Sequence, residues 1–183
     1  MAHIELGKLL DIDAKIGHDQ INHEVSLKEP GKGGGTKIKE FIVGGLSSDA
    51  LVCKLDCKDR ITEYFNKSYP DVHSGCDYLI YTSIDDKKYL LVCELKSNCI
   101  KGFDKQINNT ILFWNYIEKI LLHHKNIDIT NTHKIAVLFS TGQSSKRPTS
   151  GKFRKSNRNG LDYIDAGNPL RVNVSRLIDS YIP

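Results

Sequence analysis

The chain has 183 residues, 26 Lys+Arg against 22 Asp+Glu and a formal net charge of +4. That length suits one domain, residues 1–183, around a single core, and a hydrophobic share of 39% with 26% charged residues excludes wholesale disorder, while the mild positive excess permits a nucleic-acid partner without requiring one. No apolar run approaches the roughly 18 residues of a membrane span, residues 1–10 lack the form of a secretory signal, and an odd set of five cysteines (Cys53, Cys57, Cys76, Cys93 and Cys99) without such a signal points to reduced thiols and a cytoplasmic location.

In chain order, residues 4–22 predict a helix, since Ile4, Leu6, Leu9, Leu10, Ile12, Ile16 and Ile21 form a rough apolar stripe, weakened by Gly7 and Gly17. A Gly- and Lys-rich loop follows over residues 28–36. Its glycines miss the spacing of a phosphate-binding Walker loop, and a flexible glycine loop is the alternative. Residues 38–43 and 50–55 predict strands, and residues 61–65 a short helix or an extended segment, broken by Tyr69-Pro70-Asp71. Residues 77–83 and 88–95 predict two strands of a hairpin turning at Asp85-Asp86. The strongest helical pattern runs over residues 103–123, where Phe103, Ile107, Ile111, Trp114, Ile117 and Leu121 recur at three- and four-residue steps. Residues 135–139 predict a buried strand, residues 144–160 a polar basic loop, and residues 170–178 a strand or short helix.

The hairpin carries the chemistry. With the turn centred on Asp85-Asp86, residues whose numbers sum to 171 stand opposite each other, which pairs Asp77 with Glu94. Directly opposed residues of an antiparallel pair share a face, and alternation puts Lys96 on that face too. Two carboxylates in such a position repel each other, and a hard divalent cation such as Mg²⁺ compensates them. Held by Asp77, Glu94 and the Leu95 backbone carbonyl, a metal would bind a phosphate oxygen and acidify a bound water, with Lys96 orienting that water or stabilising charge on the phosphate. The plain structural alternative is an acid–base group pairing with itself at the rim of a sheet.

Asp77, sixteen intervening residues and Glu94-Leu95-Lys96, placed on consecutive strands, resemble the PD-(D/E)xK nuclease superfamily with its restriction-endonuclease-like fold. The resemblance covers about residues 4–141. It implies an α/β fold with an αβββαβ core, in which a mixed central sheet is flanked by helices. It also implies a Mg²⁺ (or Mn²⁺) cofactor and hydrolysis of phosphodiester bonds in nucleic acid, DNA ahead of RNA. Asp77 and Glu94 would be metal ligands and Lys96 the catalytic lysine. Restriction, antiviral defence or repair are the roles such enzymes play, and an endonuclease cutting both strands of a duplex would favour a symmetric homodimer. The pattern departs in having Cys76 where a proline often stands. A literal Pro70-Asp71 occurs upstream, but Asp71 precedes the strand and cannot oppose Glu94. By the same resemblance, a carboxylate near the first helix joins the site, with Glu24 chosen over Glu5 and Glu40, and a glutamine on the following helix, Gln106, contributes to catalysis.

Two further features stand outside that motif. Lys146, Arg147, Lys152, Arg154, Lys155 and Arg158 form the main positive concentration and are candidates for nucleic-acid binding, with a merely solvated loop as the alternative. Cys53, Cys57, His73 and Cys76 lack a standard zinc spacing, and alternation assigns Cys76 and Cys93 to the face opposite Asp77 and Glu94 as small core residues. A non-catalytic nucleic-acid or protein binding module on a nuclease-like fold is the rival functional reading.

Overall fold

The computed structural model describes residues 2–10, 15–28, 40–55, 74–96, 101–140 and 153–182. The first helix, α1 (Ala2–Leu9), is shorter than its apolar stripe suggests. Lys15–Ile16 instead form a short strand, β1. Asp19 then accepts hydrogen bonds from the Ile21 and Asn22 amides and exchanges backbone bonds with Glu24, so the chain reverses where a helix was expected. Short polar side chains compete in this way with helical hydrogen bonding, and Ile21, counted in the stripe, is 89% exposed. Strands β2 (Glu24–Lys28) and β3 (Glu40–Gly44) follow, then β4 (Leu51–Lys54).

The hairpin forms as its pattern requires. Strands β5 (Tyr78–Ile84) and β6 (Lys87–Lys96) pair antiparallel from Tyr78↔Cys93 to Ile84↔Lys87, the register that sums to 171. Asp85 and Asp86 both take positive φ, 48° and 61°, as a two-residue turn matched to strand twist demands. Helix α2 (Phe103–Lys125) then returns the chain to β7 (His133–Ser140), which lies parallel to β6. The basic segment is not all loop. Residues 154–158 form an edge strand, β8 (Arg154–Arg158), which turns through Asn159 and Gly160 into β9 (Leu161–Gly167). The chain closes with β10 (Arg171–Asn173) and α3 (Val174–Tyr181), where the Asn173 side chain caps the helix by accepting from the Ser175 amide at 2.9 Å.

These strands make a mixed seven-stranded sheet, β1-β4-β5-β6-β7-β9-β8, and a three-stranded sheet, β10-β3-β2. The large sheet is apolar on both faces. On one, Leu6 of α1 and Phe103, Ile107, Trp114, Ile117 and Leu121 of α2 pack on Leu79, Tyr81, Leu90, Val92 and Leu138. On the other, the small sheet and α3 bring Val25, Leu27, Phe41, Val43 and Leu177 against Ile80, Leu91, Ile135, Val137 and Ile164. Central strands buried on both faces have to be apolar throughout, and each large aliphatic side chain removed from water there contributes about 1.5–3 kcal/mol. The Tyr78 hydroxyl ties the two sheets together, donating to the Lys28 carbonyl at 2.8 Å and accepting from the Lys28 amide at 3.0 Å. The protein is thus a mixed α/β fold with helices on both faces of a mixed sheet, and none of its described helices is long and apolar enough to cross a membrane.

Candidate functional site

Asp77 is the residue just before β5, and continuing the strand register sets it opposite Glu94. Parity then decides the face. Leu79 and Tyr81 of β5, with Leu90 and Val92 of β6, pack beneath α2, so Asp77, Glu94 and Lys96 point to the α2 side of the sheet. Backbone bonds join the two carboxylates crosswise. The Asp77 amide donates to Glu94 Oε2 at 3.2 Å, and the Leu95 amide donates to Asp77 Oδ2 at 2.7 Å. Lys96 Nζ lies 2.5 Å from Glu94 Oε1 and donates to Gln106 Oε1 at 2.7 Å. Gln106, in the first turns of α2, in turn donates to the Gly75 carbonyl at 3.0 Å.

Glu94 is 1% exposed. Burial, and then the charge of Asp77, push its carboxyl up to about 7, against the pull of Lys96, which favours the ionised form. A carboxylate poised near neutrality beside a second carboxylate and a lysine is the combination of groups that binds a cation or exchanges a proton. The cluster carries two acids and one base.

The other predicted residues are distributed unevenly. Glu24 lies on β2 in the small sheet, ion-paired with Arg171 of β10, and so does not follow the first helix or join Asp77. Glu5 pairs with Lys8 and Lys125, and Glu40 with Lys28 and Ser26. Among the described residues no group of three or more His, Cys, Asp or Glu side chains is placed to hold a metal. Arg154, Lys155 and Arg158 all lie on β8. Lys155 is taken up by the Tyr181 carbonyl, the Tyr181 ring and Asp162, and Arg158 by Asp104 and the Phe103 ring, so two of the candidate nucleic-acid contacts fasten the edge hairpin to α3 and α2. Lys146, Arg147, Lys152, Asp71, Cys57, His73, Cys99 and the glycine loop lie outside the described residues.

Cys93 lies on the face opposite Glu94, as alternation requires, but Cys76 does not. It precedes the strand pairing, packs in the α2-side cluster and receives no face from β5. Cys53, Cys76 and Cys93 are buried, and burial holds the thiols of Cys76 and Cys93 well above the ordinary range, protonated and inert. Thr110, fully buried within the apolar stripe of α2, contacts the segment leading to Asp77 and was not anticipated. A hydroxyl at a position where periodicity calls for a hydrocarbon was the available signal.

Comparison with protein-family models, with curated proteins and with solved structures returns no match for the chain.

Proposed function

We propose that the chain is a metal-dependent nuclease of the PD-(D/E)xK kind, hydrolysing phosphodiester bonds in nucleic acid, with DNA ahead of RNA as the resemblance implies. The observation that carries the reading is the convergence of Asp77, Glu94 and Lys96 on one face of a hairpin in the motif's register, with Glu94 buried beside a second carboxylate. With β1, β2 and β3 intervening after α1, the elements α1, β4, β5, β6, α2 and β7 come in that order, and the adjacency of these four strands in the sheet supports an αβββαβ core.

The donor set fits Mg²⁺ or Mn²⁺, which are commonly held by one or two carboxylates with waters completing the shell. Asp77 and Glu94 would hold the ion. The Leu95 carbonyl would join them, because Leu95 directs its amide to Asp77 and a strand residue projects its amide and carbonyl to the same edge. When bound, the ion supplies a polarised phosphate oxygen and an acidified water. Lys96 is the cation left to meet negative charge on the phosphate, and Gln106 holds its ammonium on the Glu94 side of α2.

The test is incubation with single- and double-stranded DNA and RNA in Mg²⁺, Mn²⁺ or EDTA, beside Lys96→Ala and Asp77→Ala. Metal-dependent cleavage lost in both variants is the expected result. Cleavage that survives them sinks the site assignment. One observation favours a second reading, a binding module that does not cut: Glu94 already has a cation, Lys96, at 2.5 Å. Nucleic acid bound tightly but left intact under every metal would select it.

A further inference from the structure

Asp77 precedes β5: its carbonyl accepts from the Leu55 amide beside β4 at 2.9 Å, but its amide goes to the Glu94 side chain, so the segment just upstream also bears on where it sits. The peptide unit between Gly75 and Cys76, directly upstream, is gripped at both ends by α2. Its carbonyl accepts from Gln106 Nε2 at 3.0 Å, and its N–H donates to Thr110 Oγ1 at 2.9 Å. One residue earlier, the Ser74 carbonyl accepts from Asn109 Nδ2 at 2.9 Å. Residues four apart lie on one face of a helix, one turn above each other, so Gln106 and Thr110 offer this peptide a donor and an acceptor much as a neighbouring strand would. Thr110 is 2% exposed, and its own hydroxyl proton goes to the Gln106 carbonyl at 2.9 Å. That leaves the hydroxyl oxygen as acceptor for Cys76. Gln106 also holds Lys96 through its other amide atom. The chain of contacts closes on itself: Thr110 to Cys76, Asp77 to Glu94, Glu94 to Lys96, Lys96 to Gln106, and Gln106 back to Gly75.

We infer that Thr110 is a positioning residue for the proposed site, and that α2 uses it with Gln106 as a clamp on the Gly75–Cys76 peptide, setting the separation of Asp77 from Glu94 and Lys96. As a role in catalysis this rests on the nuclease reading. As a geometric device it does not, and the two are separable by experiment. The Leu95 amide reports on Asp77 directly, since its hydrogen bond is to Asp77 Oδ2.

Thr110→Val keeps the shape of the side chain and removes the acceptor, and Thr110→Ser restores it. Amide hydrogen exchange of the metal-free protein, followed by NMR, is expected to speed up about tenfold at Cys76 and Leu95 in Thr110→Val and to return to the wild-type rate in Thr110→Ser, in line with the loss of one buried hydrogen bond. Ile117→Val, a helix-core change away from the clamp, controls for stability: it should raise exchange evenly rather than at these two amides. A Leu95 amide unchanged in Thr110→Val, or changed no more than in Ile117→Val, overturns the proposal. Calorimetry with Mn²⁺ then reads the site, with about tenfold weaker binding expected in Thr110→Val and rescue by Thr110→Ser. Wild-type protein that neither binds Mn²⁺ nor cuts, yet shows the Leu95 effect, would retain the clamp and refute the nuclease.

Discussion

Two buried glutamate–lysine pairs lie on the α2 side of the large sheet, and the difference between them says more than either alone. Glu94 and Lys96 have side-chain exposures of 2% and 21%, and Glu118 and Lys134 of 5% and 23%, so burial does not distinguish them. Their partners do. Glu118 accepts from Trp114 Nε1 at 2.9 Å and from Lys134 at 2.9 and 3.0 Å, and Lys134 also reaches Asn115, which leaves a neutral, fully bonded pair joining α2 to β7. Glu94 has Lys96 on one side and accepts from the amide of a second acid, Asp77, across the hairpin. One pair is complete; the other sets a second carboxylate, Asp77, beside a glutamate that burial has pushed up to about 7. A buried carboxylate is thus weak evidence of chemistry, and one that faces a second acid is stronger.

The largest expected effect contrasts the two lysines in catalysis. Lys96→Ala should lower metal-dependent kcat about a hundred- to thousandfold, while Lys134→Ala leaves kcat near the wild-type value; equal losses in a steady-state cleavage assay would dissolve the distinction. In urea denaturation the order should invert for the second pair, because Lys134→Ala strands a buried carboxylate and should cost about 3–5 kcal/mol.

The carboxylates themselves sharpen the comparison. Glu94 titrates near 7 in the folded protein, above its ordinary value of 4.5. A raised carboxyl favours the folded state at low pH, and that contribution is lost as pH rises through about 7. Glu94→Gln should therefore stabilise the protein by about 2 kcal/mol at pH 8 and by much less at pH 5. Glu118→Gln should instead destabilise it by about 1.5–3 kcal/mol through weakened charge-assisted bonds. By the same proton, Mn²⁺ affinity should climb about tenfold per pH unit up to about 7 and then level off; a flat titration would separate Glu94 from the metal. The smallest effect belongs to the surface: Lys155→Ala, which breaks an exposed pair with Asp162, should leave the urea midpoint closest to wild type of all these variants.

The parts of the molecule legible in the sequence were those whose local and tertiary demands agree. Helix α2 has a stripe that both propensity and packing require, and the β5–β6 hairpin has a turn and two apolar strands that admit one register. The convergence of Asp77, Glu94 and Lys96 on one face was readable because it follows from that register. The first helix was overread because Ile12, Ile16 and Ile21 continue its period, although Asp19 and Asn22 offer the backbone competing bonds. The β8–β9 hairpin was missed because β8 is an edge strand whose exposed positions carry Arg, Lys and Asn, as protected edges do. Its Asn159-Gly160 turn, the strongest short-range hairpin signal, was there to be read. Glu24 could not be placed from sequence, because its partner Arg171 is a long-range contact across the small sheet.

The Tyr78 hydroxyl takes both backbone groups of Lys28 and so stands in for a strand pairing between the two sheets. A single phenol oxygen is a hinge pin: it fixes the end of β2 to the residue next to Asp77, and its loss in Tyr78→Phe would leave a backbone amide and carbonyl without that partner. The small sheet and the start of the hairpin are thus joined through one side chain.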